Sequence, residues 1–397
     1  MPSSPPETVP AAPVAAQASS SRWRLHAQLF LATVASVFLM GLDAGEEWWS
    51  RSLSAASIHH GLLFTASLLG ILVLHESGHY IAARIHKVET SLPYFIPMPY
   101  VSPFGTMGAV IRMTGSIRTR RALFDIGAAG PLAGLAAAIP LYLWGTAHPE
   151  FREASSTEGF MTLGDSLLTR ILDHFAAPPA PPGMVVVSSS VAFGAWVGLF
   201  VTMINLLPVA QLDGGHVAYA LFGRRQDRFA IVIHRAMLAF FFVSVTSFLV
   251  RDVRSGLGFH HLGDAVGNAI FWLVWFEVIA ILGALSSRGQ RGGREGAEGE
   301  KEGALGLPVR TRAAATVALA LLAGFGRDHS SPLLWIAWFS GLGLLVAMEV
   351  RSGVLRPHHL VEHPPTGTAP LDPVRAAIAV FTLLFFVLLF MPTPIAL

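Results

Sequence analysis

The sequence predicts an all-α polytopic membrane protein with about eight to nine transmembrane helices. Three observations carry that prediction. Of 397 residues, 53% are hydrophobic and only 13% are charged, about half the charge of an ordinary soluble domain. Mean hydropathy is +0.56. Nine apolar runs approach or reach the length needed to cross a hydrocarbon core, which takes about 20 residues of helix. This composition excludes an ordinary soluble enzyme and disfavours a disordered chain. Cysteine is absent, so disulfides, thiolate zinc ligands, iron–sulfur clusters and cysteine nucleophiles are excluded. Any metal must be held by imidazole and carboxylate. A net charge of +2 is too weak to imply nucleic-acid binding.

Residues 1–24, rich in Pro, Ala and Ser, read as a disordered N-terminal tail. The first apolar run begins too late, and is too poorly flanked, for a cleavable signal peptide. Spans are expected at 25–42, 58–84, 122–146, 186–207, 229–250, 266–285, 313–326, 332–349 and 376–394. The short run 313–326 reads either as a span or as half of a shallow hairpin with 332–349, which leaves the count at eight or nine. The chain then divides into the tail, a first transmembrane helix with its external loop (25–57), a core (58–223) and two accessory transmembrane helices (224–285). A Gly- and charge-rich cytoplasmic linker (286–308) with nothing to bury precedes a C-terminal transmembrane region (309–397). Residues 147–185 read as a loop whose Pro-rich end, Ala176 to Pro182, is stiff and extended. Residues 88–121 cannot form a regular span, because Pro93, Pro97 and Pro99 interrupt them, while Thr106 to Gly115 has short strand character. They read as a membrane-dipping loop or small sheet, offering either a plain interfacial loop or an edge on which an extended peptide adds a strand.

Basic residues set the orientation. Arg84, Lys87, Arg112, Arg118, Arg120 and Arg121 follow the second span against one acid, Glu89, and Arg224, Arg225 and Arg228 follow the fourth against Asp227. The first loop carries Asp43, Glu46 and Glu47 against Arg51, and residues 147–185 carry Glu150, Glu153, Glu158, Asp165 and Asp173 against Arg152 and Arg170. Alternating crossings therefore put the N-terminus and both basic loops in the cytoplasm, in a multi-pass protein of the cell inner (plasma) membrane.

The cytoplasmic end of the second span reads ILVLHESGHYIAARIH. His75 and His79 lie four apart, so a helix puts both imidazoles on one face, where they can grip one ion. Glu76 is adjacent, placed to take a proton from water activated by that ion. Three ionisable groups in an apolar helix are expensive unless something compensates them. Arg84, His86 and Lys87 mark the interface. Catalytic zinc usually takes three protein ligands, and the third candidate is Asp213 in LLPVAQLDGGH, at the cytoplasmic end of the fourth span, with His216 as its competitor. Asp213 could instead serve as a helix cap or turn residue after Pro208. Asn205, a polar residue in an apolar run, reads either as a packing hydrogen bond or as an amide that holds substrate near the metal.

These motifs resemble the site-2 protease family of intramembrane zinc metalloproteases. The HExxH motif is His75-Glu76-Ser77-Gly78-His79, and the Asn-x-x-Pro…Leu-Asp-Gly motif is Asn205 to Pro208 followed by Leu212-Asp213-Gly214. The resemblance covers about 58–223 and is nearest to the bacterial and plastid branch without a PDZ domain, in which a Gly-rich segment such as Gly105 to Val110 follows the first motif. It implies a three-helix catalytic core whose middle helix is 122–146. It also implies one catalytic Zn2+ on His75, His79 and Asp213, Glu76 as the catalytic base, and Asn205 as a catalytic residue that helps hold substrate. The expected activity is zinc-dependent endoproteolysis in or near transmembrane segments, with single-span membrane proteins as substrates and the lipid bilayer as surroundings. Stubs left by an upstream site-1 type protease would also serve. A metal-ion transporter or a non-catalytic membrane scaffold is the alternative. Gly127, Gly130 and Gly134 read as a close helix contact. The segment around His358, His359, Glu362 and His363 reads as a His-rich connection, a second metal site or a lid, and His59, His60, His260 and His261 have no assigned role.

Overall fold

A computed structural model describes residues 20–42, 54–100, 102–113, 115–153, 162–256, 261–291, 309–328, 331–352 and 366–396. Most of the expected tail, the 292–308 part of the linker, His260 and the His358–His363 segment lie outside the described residues. The chain is a multi-pass, all-α membrane protein. Among the described residues, five helical stretches are long and apolar enough to cross a membrane: Trp23–Gly41, Ala55–Ile85, Arg120–Ala147, Asp213–Arg254 and Leu262–Ile281. Shorter apolar helices occupy Ser190–Asn205, Ala314–Ala323, Pro332–Ala347 and Pro373–Leu389.

Three helices form the centre. Helix α1 (Ser20–Gly41) begins inside the expected tail and precedes α2 (Ala55–Ile85), whose N-terminus is capped by Ser54. Helix α3 (Arg120–Ala147) is capped by Thr119 and accommodates Pro131 and Pro140 internally. Helix α5 (Ser190–Asn205) is capped by Ser189. The middle helix α3 packs on both α2 and α5. Their closeness depends on glycine: a Cβ at Gly78 of α2 would strike the Ala129 backbone of α3, and one at Gly194 of α5 would strike Ser67 of α2. Around this contact the core includes Phe64, Leu68, Ile71, Leu135, Leu199 and Met203.

Between α2 and α3 the Pro-interrupted segment folds into a two-stranded antiparallel hairpin, β1 (Tyr94–Pro97) and β2 (Thr106–Val110), with a bulge between Phe95 and Pro97. The hairpin lies along α1. His26 Nδ1 sits 3.0 Å from the Pro93 carbonyl, and Ser36 donates to the Gly105 carbonyl at 2.6 Å. Ten residues of helix separate those contacts, so the hairpin follows α1 for about 15 Å. At its tip Phe104 is buried against Phe193, Trp196 and Phe200.

Residues 147–185, expected as a loop, carry secondary structure on either side of the Pro-rich stretch, whose residues 177–181 are neither helix nor strand. The segment holds β3 (Glu150–Glu153), β4 (Thr162–Leu163), α4 (Leu167–Ala176) and β5 (Met184–Val187). Strand β3 pairs with β5, and a Ser166–Thr169 capping box starts α4. The apolar spacing of Leu168 and Leu172, buried together, is the helical signal inside that loop.

Helix α6 (Asp213–Phe222) continues through a short 3-10 turn into α7 (Gln226–Arg254), which packs on α8 (Leu262–Arg291). Residues 313–326 and 332–349 fall in two separate helices, α9 (Val309–Asp328) and α10 (Pro332–Ser352). Helix α11 (Pro373–Leu389), capped by Asp372, returns against α3, α4 and α6 and ends in β6 (Ile395–Ala396), which pairs with β4.

Candidate metal centre

Helix α2 buries His75, Glu76 and His79 to 2%, 6% and 7% exposure. The two imidazoles stand one turn apart with ring centroids 4.9 Å apart, as the i, i+4 spacing requires. Asp213 reaches them because the chain turns sharply after α5. Pro208 has no amide to continue a helix, Ala210 takes a positive φ of 49°, and Gln226 donates to the Pro208 carbonyl at 3.0 Å. A Cβ at Gly214 or Gly215 would collide with carbonyls of the 206–210 turn, so two glycines let the new helix start directly beneath that turn. Leu212 is its N-cap and offers no side-chain bond. The Asp213 carboxylate is turned to the imidazoles rather than spent as a cap.

Three donor atoms meet there. His75 Nε2 and His79 Nε2 are 3.2 Å apart, and Asp213 Oδ2 lies 3.3 Å from the first and 3.2 Å from the second. A tetrahedral ion with bonds of about 2.0–2.1 Å has ligand–ligand edges of about 3.3–3.4 Å. The triangle therefore fits one face of a zinc tetrahedron. Charge agrees with geometry. Asp213 and Glu76 put two carboxylates in an apolar body, and among the described residues no Lys or Arg forms an ion pair with either. A divalent cation on two neutral imidazoles and Asp213 supplies the missing compensation. Among the described residues these three form the one group of His, Asp and Glu able to hold a metal ion.

The surroundings orient the donors. His79 Nδ1 lies 2.7 Å from the Ile126 carbonyl of α3, which fixes the proton on Nδ1 and leaves Nε2 free for a metal. The Asn205 amide nitrogen at the end of α5 is 3.3 Å from His75 Nε2. Gly130 and Gly134, one turn apart on α3, back the two imidazoles: a Cβ at Gly130 would run into the His79 ring, and one at Gly134 would lie 3.1 Å from His75 Nδ1. They form the close helix contact the sequence predicts, and through it they also wall the centre. Their four-residue spacing matches that of His75 and His79, and that match is the sequence signal. The Ile126 carbonyl leaves no such signal. His216 is not in the donor group; its Cβ faces Gly127 instead. His60 lies elsewhere, with Nδ1 2.9 Å from Ser190 Oγ and 3.4 Å from Glu150, and His261 pairs with Asp264 at 3.0 Å.

Residues 63–244 match the family described as Peptidase family M50. The chain is 31% identical over 180 residues to "Probable zinc metalloprotease EGY2, chloroplastic" of Oryza sativa subsp. indica, covering 42% of this chain and 30% of that protein. It is 33% identical over 161 residues to the EGY1 protein of the same description in Arabidopsis thaliana, covering 40% of this chain and 29% of the relative. The chain thus spans about 30% of the length of the curated relatives it matches. No solved structure matches.

Proposed function

We propose, since the chain belongs through residues 63–244 to peptidase family M50, that it is a zinc-dependent intramembrane endopeptidase. The observation that carries this is the buried His75, His79 and Asp213 triangle beside Glu76, set in apolar helices. His75, His79 and Asp213 would hold one zinc ion, which when bound supplies Lewis-acid polarisation of a carbonyl and a lowered pKa for water. Glu76 takes the proton of the attacking water and returns it to the leaving amine. The Asn205 amide donates to the scissile carbonyl as charge builds on it. The α2, α3 and α5 packing keeps bulk water from the site except along a path from the cytoplasm. A transmembrane helix hides its amides in its own hydrogen bonds, so it must unwind before it is cut. In this reading the hairpin dips into the bilayer, and the edge of β2, where Met107 and Val110 are exposed, holds the unwound strand.

In this reading substrates are single-span membrane proteins, or stubs left by an upstream site-1 type protease, cut in regulated intramembrane proteolysis. The membrane is the cell inner (plasma) membrane, with the N-terminus and the site towards the cytoplasm. The division into 1–24, 25–57, 58–223, 224–285, 286–308 and 309–397 belongs to this proposal. So does a count of nine crossings. Helix α11 starts beside Asp125 near the start of α3, and just beyond its other end the Pro394 carbonyl accepts from Gly164 N, past the far end of α3. That arrangement supports a full last crossing and an odd total.

The test is reconstitution in vesicles with a tagged single-span substrate, comparing the wild type with Glu76→Gln. Cleavage lost with zinc retained supports hydrolysis. Unchanged cleavage overturns the reading, and zinc flux that depends on Glu76 overturns it in favour of a transporter.

A further inference from the structure

Helix α11 lies outside the matched stretch 63–244, yet it is bolted to the helix that orients a metal ligand. Arg375 grips Asp125 of α3 with two bonds, Nε to Oδ1 at 2.9 Å and Nη2 to Oδ2 at 3.0 Å. Its Nη1 donates to Asp372 at 2.8 Å, and its backbone N–H donates to Asp372 at 3.1 Å, closing the N-terminal cap of α11. His86, at the end of α2, meets the same Asp125 Oδ2 at 2.8 Å. One carboxylate therefore ties α2, α3 and α11 together. The next residue along α3 is Ile126, whose carbonyl holds His79 Nδ1. Below the charged knot, Ala379 of α11 is fully buried with Phe124 and Ala128 of α3 and Val217 and Ala220 of α6, and α6 opens with Asp213. The far end of α11 is held too: Met391 N–H reaches Met203 Sδ at 3.2 Å, and Trp272 donates to the Pro392 carbonyl at 2.7 Å.

We infer that Arg375 is a positioning residue of the metal centre. Through Asp125 it fixes the turn of α3 that presents the Ile126 carbonyl to His79. A forked guanidinium–carboxylate pair suits this task because it fixes orientation as well as distance, which a lysine would not do. The inference rests on the zinc reading above. Groups that orient a ligand from outside the first coordination sphere change metal affinity by about 10- to 100-fold. Arg375 acts one step further out, so the lower end of that range applies.

The experiment measures zinc affinity of the full chain in detergent by competition with a chromophoric chelator, and separately the melting temperature of the zinc-free protein. Arg375→Met and Asp125→Asn are each expected to weaken zinc binding about tenfold, with the double variant no weaker than either single one, as for members of one network. Arg375→Lys, which keeps the charge and loses the fork, falls between wild type and Arg375→Met and guards against misfolding of the stronger variants. A brace that only stabilises the fold would lower the zinc-free melting temperature and leave zinc affinity unchanged; that result overturns the inference. Wild type that binds zinc, with Arg375→Met binding it equally well, overturns the inference alone. Wild type that binds no zinc overturns the functional reading as well.

Discussion

Gly130→Ala adds one methyl group at the back of the metal centre. Its Cβ would meet three atoms of the His79 ring, Nε2, Cδ2 and Cε1, of which the farthest, Cε1, is 2.5 Å away. Ordinary contacts start at 3.4 Å, so the ring must recede by about 0.9 Å even from its least crowded atom, a shift larger than the ~0.5 Å a preorganised site tolerates. The ring has little freedom to do so. Its Nδ1 is held 2.7 Å from the Ile126 carbonyl, which lies on α3 one turn before Gly130. The displaced Nε2 is the donor itself, and zinc bonds tolerate only about ±0.2 Å. A misplacement near 1 Å is expected to lower zinc affinity by about 100-fold, the upper end of what disturbing a ligand's orientation costs. Two companion variants grade the effect. Gly134→Ala meets His75 Nδ1 at 3.1 Å, on the ring nitrogen turned away from the triangle, and should lower affinity by less than ~10-fold. Gly70→Ala has nothing within 4 Å and should leave zinc binding unchanged. Zinc content after dialysis against a graded chelator series measures all three. Gly130→Ala with wild-type affinity, or with an effect no larger than Gly134→Ala, would refute the steric reasoning.

Two further outcomes follow from the same geometry. Asp213→Asn should weaken zinc by more than the 10- to 100-fold typical of outer-shell changes, whereas His216→Gln, altering a residue outside the donor group, should stay within tenfold; metal content of the purified variants decides between the two candidate third ligands. Burial raises the Asp173 carboxyl above its ordinary value, with Asp165 adding to the rise and the hydrogen bond from Tyr142 opposing it. The folded state thus holds this proton more tightly than the unfolded one, so its stability contribution is present at low pH and is lost as pH rises through the raised value. The melting temperature of wild type minus that of Asp173→Asn, followed by tryptophan fluorescence, should fall as pH rises above the ordinary carboxylate range of about 4, and a flat difference would contradict it.

The donor triplet was legible because each of the two motifs that carry it is local, even though 134 residues separate His79 from Asp213. His75 and His79 need only one helical turn to share a face, and Asp213 stands out as an acid in an apolar run with two glycines behind it. The structure brings these three together within 4.8 Å. What could not be read was whatever depends on contacts across the chain. The Ile126 carbonyl is a backbone atom that any residue would supply. The α4 helix was masked by the Pro-rich stretch that follows it, and Asp372 and Arg375 sit some 250 residues from the carboxylate they serve. Gly130 and Gly134 lie between these cases, because their period is visible while their partner is not.

The limits of the family match and the limits of the physical unit differ for that reason. Residues 63–244 hold every donor, but they do not hold what orients the hairpin or braces α3. The hairpin is seated on α1 through His26, Phe30 and Ser36, and Gly105, with a φ of 76°, presses so closely on the Ser36 backbone that any side chain there would collide with it. Helix α11 closes the other side through Arg375 and Ala379. Buried donors at membrane depth need a rigid, fully satisfied surround, because unpaired polar groups there cost several kcal/mol each. Without these flanks the Asp125 carboxylate would lose its guanidinium partner and the hairpin its seat on α1. The metal centre therefore depends on flanking helices that share no recognisable motif with it, and their contribution is written in packing and paired charge rather than in ligand spacing.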